Sequence, residues 1–250
     1  MIDLHCHILP GIDDGPTDIA GSIWIAETAS REGVKVIFAT PHHGNGVYST
    51  SVETIEEQCQ LLNDALKQRK IDLVVYPGAE VHVNELVLPE LFSEKIIKLG
   101  LNGRAVLLEL PGMFVLERIE TVIHRMVDHG IIPILAHPER NPLLLKHPHF
   151  IERLLYKGAM TQITAGSLLG DYGPLCRKLV VEMLRTDRVH CVGSDMHPGR
   201  KYRMADFKNI ASKFVSVRTL ERIVGDTAWQ LIFPGSNRWQ SDTNGGAIQA

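Results

Sequence analysis

The chain has 250 residues, 44% hydrophobic and 22% charged, which is an ordinary balance for a soluble globular protein able to bury a full core. A formal net charge of −3 gives no electrostatic reason to expect nucleic acid or acidic lipid as the main partner, and the short Arg200-Lys201-Tyr202-Arg203 cluster does not alter that. No run of about twenty apolar residues is present, so no membrane insertion is expected. The sequence starts Met-Ile-Asp-Leu-His, without a basic segment followed by an apolar one, so no signal peptide is expected. Cys6, Cys59, Cys176 and Cys191 are scattered with no CxxC, which fits a reducing cytoplasm. Twelve histidines are the compositional oddity.

Taken in order, apolar runs alternate with helical patterns. Ile2 to Leu4 opens as a strand whose extended geometry carries on into His5-Cys6-His7. Side chains alternate there, so His5 and His7 point one way and Cys6 the other. Thr17 is positioned to cap a helix with Ile19, Ile23 and Ala26 on one face. Val34 to Ala39 reads as a buried strand leading into Thr40-Pro41-His42-His43. Thr50 and Glu53 form a capping-box pattern for a helix carrying Ile55, Cys59, Leu62 and Leu66.

Further strands are predicted at Leu73 to Tyr76, Ala105 to Leu108, Ile131 to Ala136, Met160 to Thr164 and Val189 to Val192. Helices fall around Ile119 to Met126, Gly173 to Arg185, Met204 to Val215 and Thr219 to Val224. About seven strands, each followed by a helix or long loop, indicate a parallel α/β architecture. No Pro-, Gly- or Ser-rich break divides the chain, which predicts one domain over residues 1–234. Residues 235–250 have no apolar period and are expected to be a disordered tail.

Nearly every predicted strand ends in a metal-ligand type. Strand one delivers His5 and His7, the next His42, then Glu80, Glu109 and His137, and the last Asp195 and His197. Polar residues commonly mark the point where a strand leaves the core. That explains any one of these ends, but not why they carry His, Asp or Glu so consistently. In a β/α barrel the C-terminal ends of parallel strands meet at one mouth, so these residues converge there, whereas an open sheet strings them out in a line.

With Asp14 the set holds five imidazoles and four carboxylates, enough for two or three divalent ions sharing bridging carboxylates. Mixed nitrogen and oxygen ligands without thiolate suit manganese, iron(II) or zinc. Four carboxylates against three divalent ions leave two positive charges in surplus, which favours an anionic ester and a water activated near neutral pH.

Arg140, three residues past His137, is a candidate phosphate ligand, and either Arg203 or Arg200 is a second, with Arg203 preferred. His43 and His82 stand beside ligand candidates, while Asp3 and Asp13 are candidates to orient ligand imidazoles. His124 and His129 on a helix, His147 and His149 near a surface loop, and His190 in a strand read as ordinary structural histidines.

Several blocks carry a resemblance: Asp-Leu-His-Cys-His-Ile-Leu-Pro-Gly-Ile-Asp-Asp-Gly at the start, then Ala-Thr-Pro-His-His, Pro-Gly-Ala-Glu, Pro-Ile-Leu-Ala-His-Pro-Glu-Arg, Ile-Thr-Ala-Gly-Ser-Leu-Leu-Gly and Gly-Ser-Asp-Met-His. Over residues 1–233 the chain resembles the bacterial manganese-dependent protein-tyrosine phosphatases of capsular and exopolysaccharide loci, in the PHP superfamily. The resemblance implies a distorted β/α barrel with three metals. It also implies dephosphorylation of the tyrosine-rich tail of a bacterial tyrosine kinase that controls polysaccharide export.

Carried onto this chain, the resemblance implies His5, His7, Glu80 and Asp195 for the first metal, with Glu80 bridging. Glu109 and His137 would serve the second, and Asp14, His42 and His197 the third. Arg140 matches the phosphate-binding arginine; the second arginine falls at Arg203 or Arg200, because Pro-Gly-Arg-Lys-Tyr-Arg departs from the usual spacing. His42 or His197, if loosely bound, would protonate the leaving oxygen. A thiol mechanism needs Cys-x5-Arg, which none of the four cysteines has. The rival readings are a small-metabolite phosphatase on the same scaffold (acting on histidinol phosphate, for instance), a non-catalytic kinase-binding regulator, and a nuclease.

Overall fold

The computed structural model describes residues 1–100 and 103–232; the expected tail at 235–250 and the domain limit at 234 lie outside them. Nine parallel strand segments are described: β1 (Ile2–Cys6), β2 (Val36–Ala39), β3 (His42–His43), β4 (Val74–Pro77), β5 (Glu80–His82), β6 (Ala105–Glu109), β7 (Ile132–Ala136), β8 (Met160–Thr164) and β9 (Cys191–Gly193). They form two sheets, ordered β1-β2-β4 and β3-β5-β6-β7-β8-β9. β2 runs on into β3 across Thr40-Pro41, and β4 into β5 across Gly78-Ala79. The ring thus has seven staves, two of them broken. Its edges meet where Cys6 bridges Met196, Asp195 N donates to His5 O at 2.7 Å and His7 N donates to Met196 O at 3.2 Å. This is the parallel α/β architecture that the strand count predicts, closed into the distorted β/α barrel that the resemblance implies.

The two breaks have local causes. Pro41 has no N–H to continue a ladder. At Gly78 a Cβ would sit 2.5 Å from Leu99 Cδ2 and 3.3 Å from Ala39 O, so only glycine fits. Each broken stave re-aims its upper half, which carries a ligand candidate, His42 or Glu80.

β1 contains a further irregularity. Its register against β2 runs Ile2 to Val36, Asp3 to Ile37, then Cys6 to Ala39, so one extra residue is accommodated between Asp3 and Cys6. Leu4 belongs to the apolar layer inside the ring with Ile2, Val36, Phe38, Leu107 and Ile134, whereas Cys6 belongs to the outer core. The bulge shifts the alternation by one, so Leu4 and His5 both face inward.

Helices cover the outside with one apolar stripe each. Val52–Gln68 buries Ile55, Cys59, Leu62 and Leu66, and Leu116–Asp128 buries Leu116, Ile119, Ile123 and Met126. Helix starts differ from the predicted caps. Asp18, not Thr17, accepts from Gly21 N, and Ser51, not Thr50, accepts from Thr54 N. The predicted helix over 219–224 is a short turn at Val217–Glu221 followed by a π-helical segment, Arg222–Asp226. The helix Thr227–Ile232 then puts Ala228 and Leu231 against the inner layer at the strand starts, closing the end opposite the ligand candidates. Among the described residues no helix is long and apolar enough to cross a membrane.

Candidate metal centre

The ligand candidates do converge at the C-terminal mouth. His5 Nε2 and His7 Nε2 lie 3.1 Å apart. Each is 3.4 Å from Glu80 Oε2 and 3.5 Å from Asp195 Oδ1. His5, His7 and Glu80 thus bring three donor atoms into the mutual range that one ion needs, and Asp195 Oδ1 adds a fourth beside the two imidazoles. All four residues are buried.

Two backbone strains support the placement. Asp195 and His137 adopt left-handed φ of 48° and 30°, unusual for residues with a Cβ. Both sit where a strand gives way to a turn, and the tight turn points each side chain back over the ring.

The imidazoles are oriented from behind. His5 Nδ1 donates to Gln162 Oε1 at 3.0 Å, and Gln162 Nε2 in turn donates to Ile163 O, which fixes the amide's direction. His7 Nδ1 donates to Asp13 Oδ2 at 2.6 Å, while Asp13 also accepts from His42 N and Gly15 N. His197 Nδ1 donates to Asp195 O at 3.0 Å. All three rings are therefore turned with Nε2 toward the site. Asp13 acts as expected of an orienter. Asp3 instead accepts from the His5 backbone N–H and touches no ligand ring.

Around this quartet lie two further sets. Asp14, His7, His42 and His197 bring one donor atom each into mutual range, with His197 Nε2 3.2 Å and His42 Nε2 3.5 Å from Asp14 Oδ1. His42, Glu80 and Glu109 form the other. His137, expected to pair with Glu109, donates to Glu80 Oε1 at 2.8 Å, while Glu109 faces His82 Nδ1 at 3.0 Å. His82, beside the ligand candidates in sequence, thus also stands beside the Glu109 carboxylate in space.

Electrostatics and satisfaction make the fit to cations specific. Burial alone would raise the carboxyls of Glu80 and Asp195, but the imidazoles, His5 foremost, hold both below the usual range. Burial disfavours a charged His7, yet Asp13 and Glu80 outweigh it and carry its pKa up to about 10. Burial and the neighbouring His7 instead push His197 down to about 4. Glu80 Oε2 and His42 Nδ1 are buried without hydrogen-bond partners although only 3.0 Å apart. Such orphans are costly unless something cationic joins them. The donor set therefore fits divalent ions.

The arginines arrive from the other side. Arg140 and Arg200 both donate to Asp195 Oδ2, Arg200 at 2.8 Å and also to Asp195 O at 2.9 Å. Arg203, the preferred candidate on sequence, is turned away to Asp171 and Asp206. Its N-terminal position on the helix Met204–Ala211 aims it at those carboxylates, while Arg200 lies in the turn that leaves His197.

The remaining histidines stay structural. His43 meets Glu90, His124 meets Asp128, and His129 stacks on Phe92. His147 and His149 are exposed, and His190, just before β9 rather than in it, accepts from Thr161 N.

Fold and site together define the class: a parallel β/α barrel enzyme scaffold with candidate metal-binding clusters at its C-terminal mouth. Residues 1–233 match the family model described as capsular polysaccharide synthesis, CpsB/CapC, and the chain belongs to that family. It is 38% identical over 197 residues to the tyrosine-protein phosphatase YwqE of Bacillus subtilis, covering 79% of this chain and 77% of that one. It is 29% identical over 232 residues to the tyrosine-protein phosphatase CpsB of Streptococcus pneumoniae, covering 90% and 95%. Among solved structures it superposes with a TM-score of 0.78 and 34% identity, over 92% of this chain and 91% of the other, on one from the pair YwqE and CpsB, described as unique metal-dependent tyrosine phosphatases.

Proposed function

We propose that this protein is a metal-dependent protein-tyrosine phosphatase. Its substrate is the phosphotyrosine tail of a bacterial tyrosine kinase that regulates capsular and extracellular polysaccharide synthesis, and it acts in the cytoplasm. The observation that carries this reading is the His5 and His7 pair 3.1 Å apart, each imidazole 3.4 Å from Glu80 and 3.5 Å from Asp195, with two guanidiniums on the outer oxygen of the same Asp195.

In this reading His5, His7, Glu80 and Asp195 would hold one ion, Glu109 and His137 with Glu80 a second, and Asp14, His42 and His197 a third. Nitrogen and carboxylate ligands favour Mn²⁺, with Fe²⁺ or Zn²⁺ the other candidates. When bound, the ions supply Lewis acidity and neutralise charge on the phosphate. Arg140 and Arg200 take non-bridging oxygens, whose charge grows in the transition state. His197, neutral because burial and His7 depress it to about 4, offers a lone pair at Nε2 rather than a proton. The departing phenol, whose intrinsic pKa of about 10 demands little assistance, would be helped by His42, partly exposed at the mouth, only where that imidazole is not itself holding an ion.

The test compares hydrolysis of a phosphotyrosyl peptide and of histidinol phosphate by protein stripped with chelator and reloaded with Mn²⁺. Turnover of the peptide only after reloading, and its loss in His5→Ala, is the expected result. Activity that survives both chelation and His5→Ala overturns the metal-dependent mechanism. Preference for histidinol phosphate overturns the protein substrate.

A further inference from the structure

We infer that Tyr172 is a positioning residue that holds Arg140 and Arg200 together as one anion-binding fork, independently of Asp195. The inference rests on the phosphatase reading above and goes on to say how the fork stays aimed.

Tyr172 lies in the turn between the helices Ala165–Leu169 and Pro174–Arg185. The turn is closed by Gly173 N donating to Gly170 O at 3.0 Å and by Asp171 N donating to Gly166 O at 3.0 Å. Gly170 and Gly173 have φ of 94° and 91°, a conformation that residues with a Cβ rarely adopt, so the turn depends on both glycines. The half-buried tyrosine between them is thereby presented from a defined backbone toward the mouth.

Its two ends meet two different arginines. The Arg140 guanidinium carbon lies 4.3 Å from the centre of the Tyr172 ring, within cation–π range. Arg200 Nη1 reaches the Tyr172 hydroxyl at 3.4 Å, a long contact. Among the described residues, the hydrogen-bond and ring contacts of the Arg140 side chain are two: Asp195 and this ring. The third arginine nearby, Arg203, is already neutralised by Asp171 and Asp206 and does not compete for the ring.

The need for such a holder follows from Asp195. Its Oδ2 accepts from both guanidiniums, and its Oδ1 faces His5 and His7 in the quartet. A cation on that quartet draws on the same carboxylate charge and weakens its pull on two like-charged arginines. Contacts that do not pass through Asp195 must then keep the guanidiniums converged on a phosphate. The ring of Tyr172 does this for Arg140, since a π face attracts a guanidinium whatever the carboxylate's occupancy. Its hydroxyl adds a weaker tether for Arg200.

The experiment compares Tyr172→Leu and Tyr172→Phe with wild type, all loaded with Mn²⁺. Four quantities are read: KM and kcat on p-nitrophenyl phosphate, calorimetric affinity for inorganic phosphate, manganese bound per chain, and melting temperature. Tyr172→Leu is expected to raise KM and weaken phosphate binding by about tenfold, with a smaller change in kcat and with manganese content and melting temperature unchanged. Tyr172→Phe keeps the π face and is expected to restore both constants to within about threefold of wild type.

Phosphate binding by Tyr172→Leu within twofold of wild type overturns the inference. So does equal impairment of the two variants, or a loss of manganese or melting temperature that parallels the loss of phosphate affinity. If the wild type itself neither hydrolyses the ester nor binds phosphate, the phosphatase reading falls and this inference falls with it. If the wild type does both and only the Tyr172 effects are missing, the inference fails alone.

Discussion

Asp3 and Tyr202 are 199 positions apart in the chain, and the tyrosine hydroxyl donates to Asp3 Oδ2 at 2.5 Å inside the protein. Asp3 Oδ1 accepts in addition from Ser194 N at 2.7 Å and His5 N at 3.2 Å. One buried carboxyl thus ties the first strand to the turn after the last. Burial raises its pKa, opposed by the Ser194 and Tyr202 hydrogen bonds.

Tyr202→Phe removes the hydroxyl that donates to the buried Asp3 Oδ2. A loss of about 1–3 kcal/mol in unfolding free energy is expected, read from the denaturant midpoint. An unchanged midpoint would show that the closure does not depend on this bond.

A second expectation concerns pH. In the metal-free protein His7 titrates at about 10, against about 6.5 in the unfolded chain. Its proton therefore contributes stability that is fully present below pH 6.5 and is lost as pH rises through 10. A metal on Nε2 would displace that proton, and this loss then disappears. Melting temperatures of the stripped protein should fall between pH 6.5 and 10 more steeply than those of the loaded protein. Metal loading at pH 8 should release protons, measurable by calorimetry in buffers of different ionisation enthalpy. Parallel curves with no proton release would refute this account.

Gly193 is the residue against which His5 rests. A Cβ there would lie 2.5 Å from His5 Cβ and 2.8 Å from Gln162 Nε2. Gly193→Ala should push His5 off the quartet, cost about 1–3 kcal/mol and lower bound metal per chain. Wild-type metal content and stability in this variant would mean that the ring dilates without strain.

The two arginines after His197 should separate in kinetics. Arg200→Ala loses a guanidinium from Asp195 and is expected to raise KM for an aryl phosphate about tenfold or more, as loss of a charge-assisted hydrogen bond does. Arg203→Ala loses surface pairs with Asp171 and Asp206 and is expected to change KM less than threefold. The reverse ranking would restore the preference drawn from sequence spacing.

How far the sequence spoke can be traced residue by residue. The ring of parallel strands and the convergence of His5, His7, Glu80 and Asp195 followed from apolar runs that each end in a ligand type. The pattern is strong because a strand's last residue leaves the core at a fixed end of the barrel. Asp13 was legible for the same reason, being close in sequence to the ring it orients.

What stayed hidden depends on contacts between distant segments. Gln162 orients His5 from 157 positions away and reads in the sequence as a plain polar residue within a strand. The bulge between Asp3 and Cys6 leaves no local signature, yet it turns Leu4 and His5 to the same side. Arg200 and Arg203 both follow His197 at short range in sequence, and the choice between them rests on where Asp171 lies. Thr17 and Asp18, or Thr50 and Ser51, are adjacent capping residues, and backbone direction alone decides which one caps.

The meeting of β1 with β9 imposes an order of events on synthesis. His5 and His7 leave the ribosome almost two hundred positions before Asp195 and His197. Until then the early imidazoles have neither the carboxylate that completes their quartet nor the strand that closes the ring. Pairing strands so far apart in the sequence is a slow, high-contact-order step. The nascent protein is therefore a poor chelator, and ion capture becomes a late event coupled to the last stage of folding.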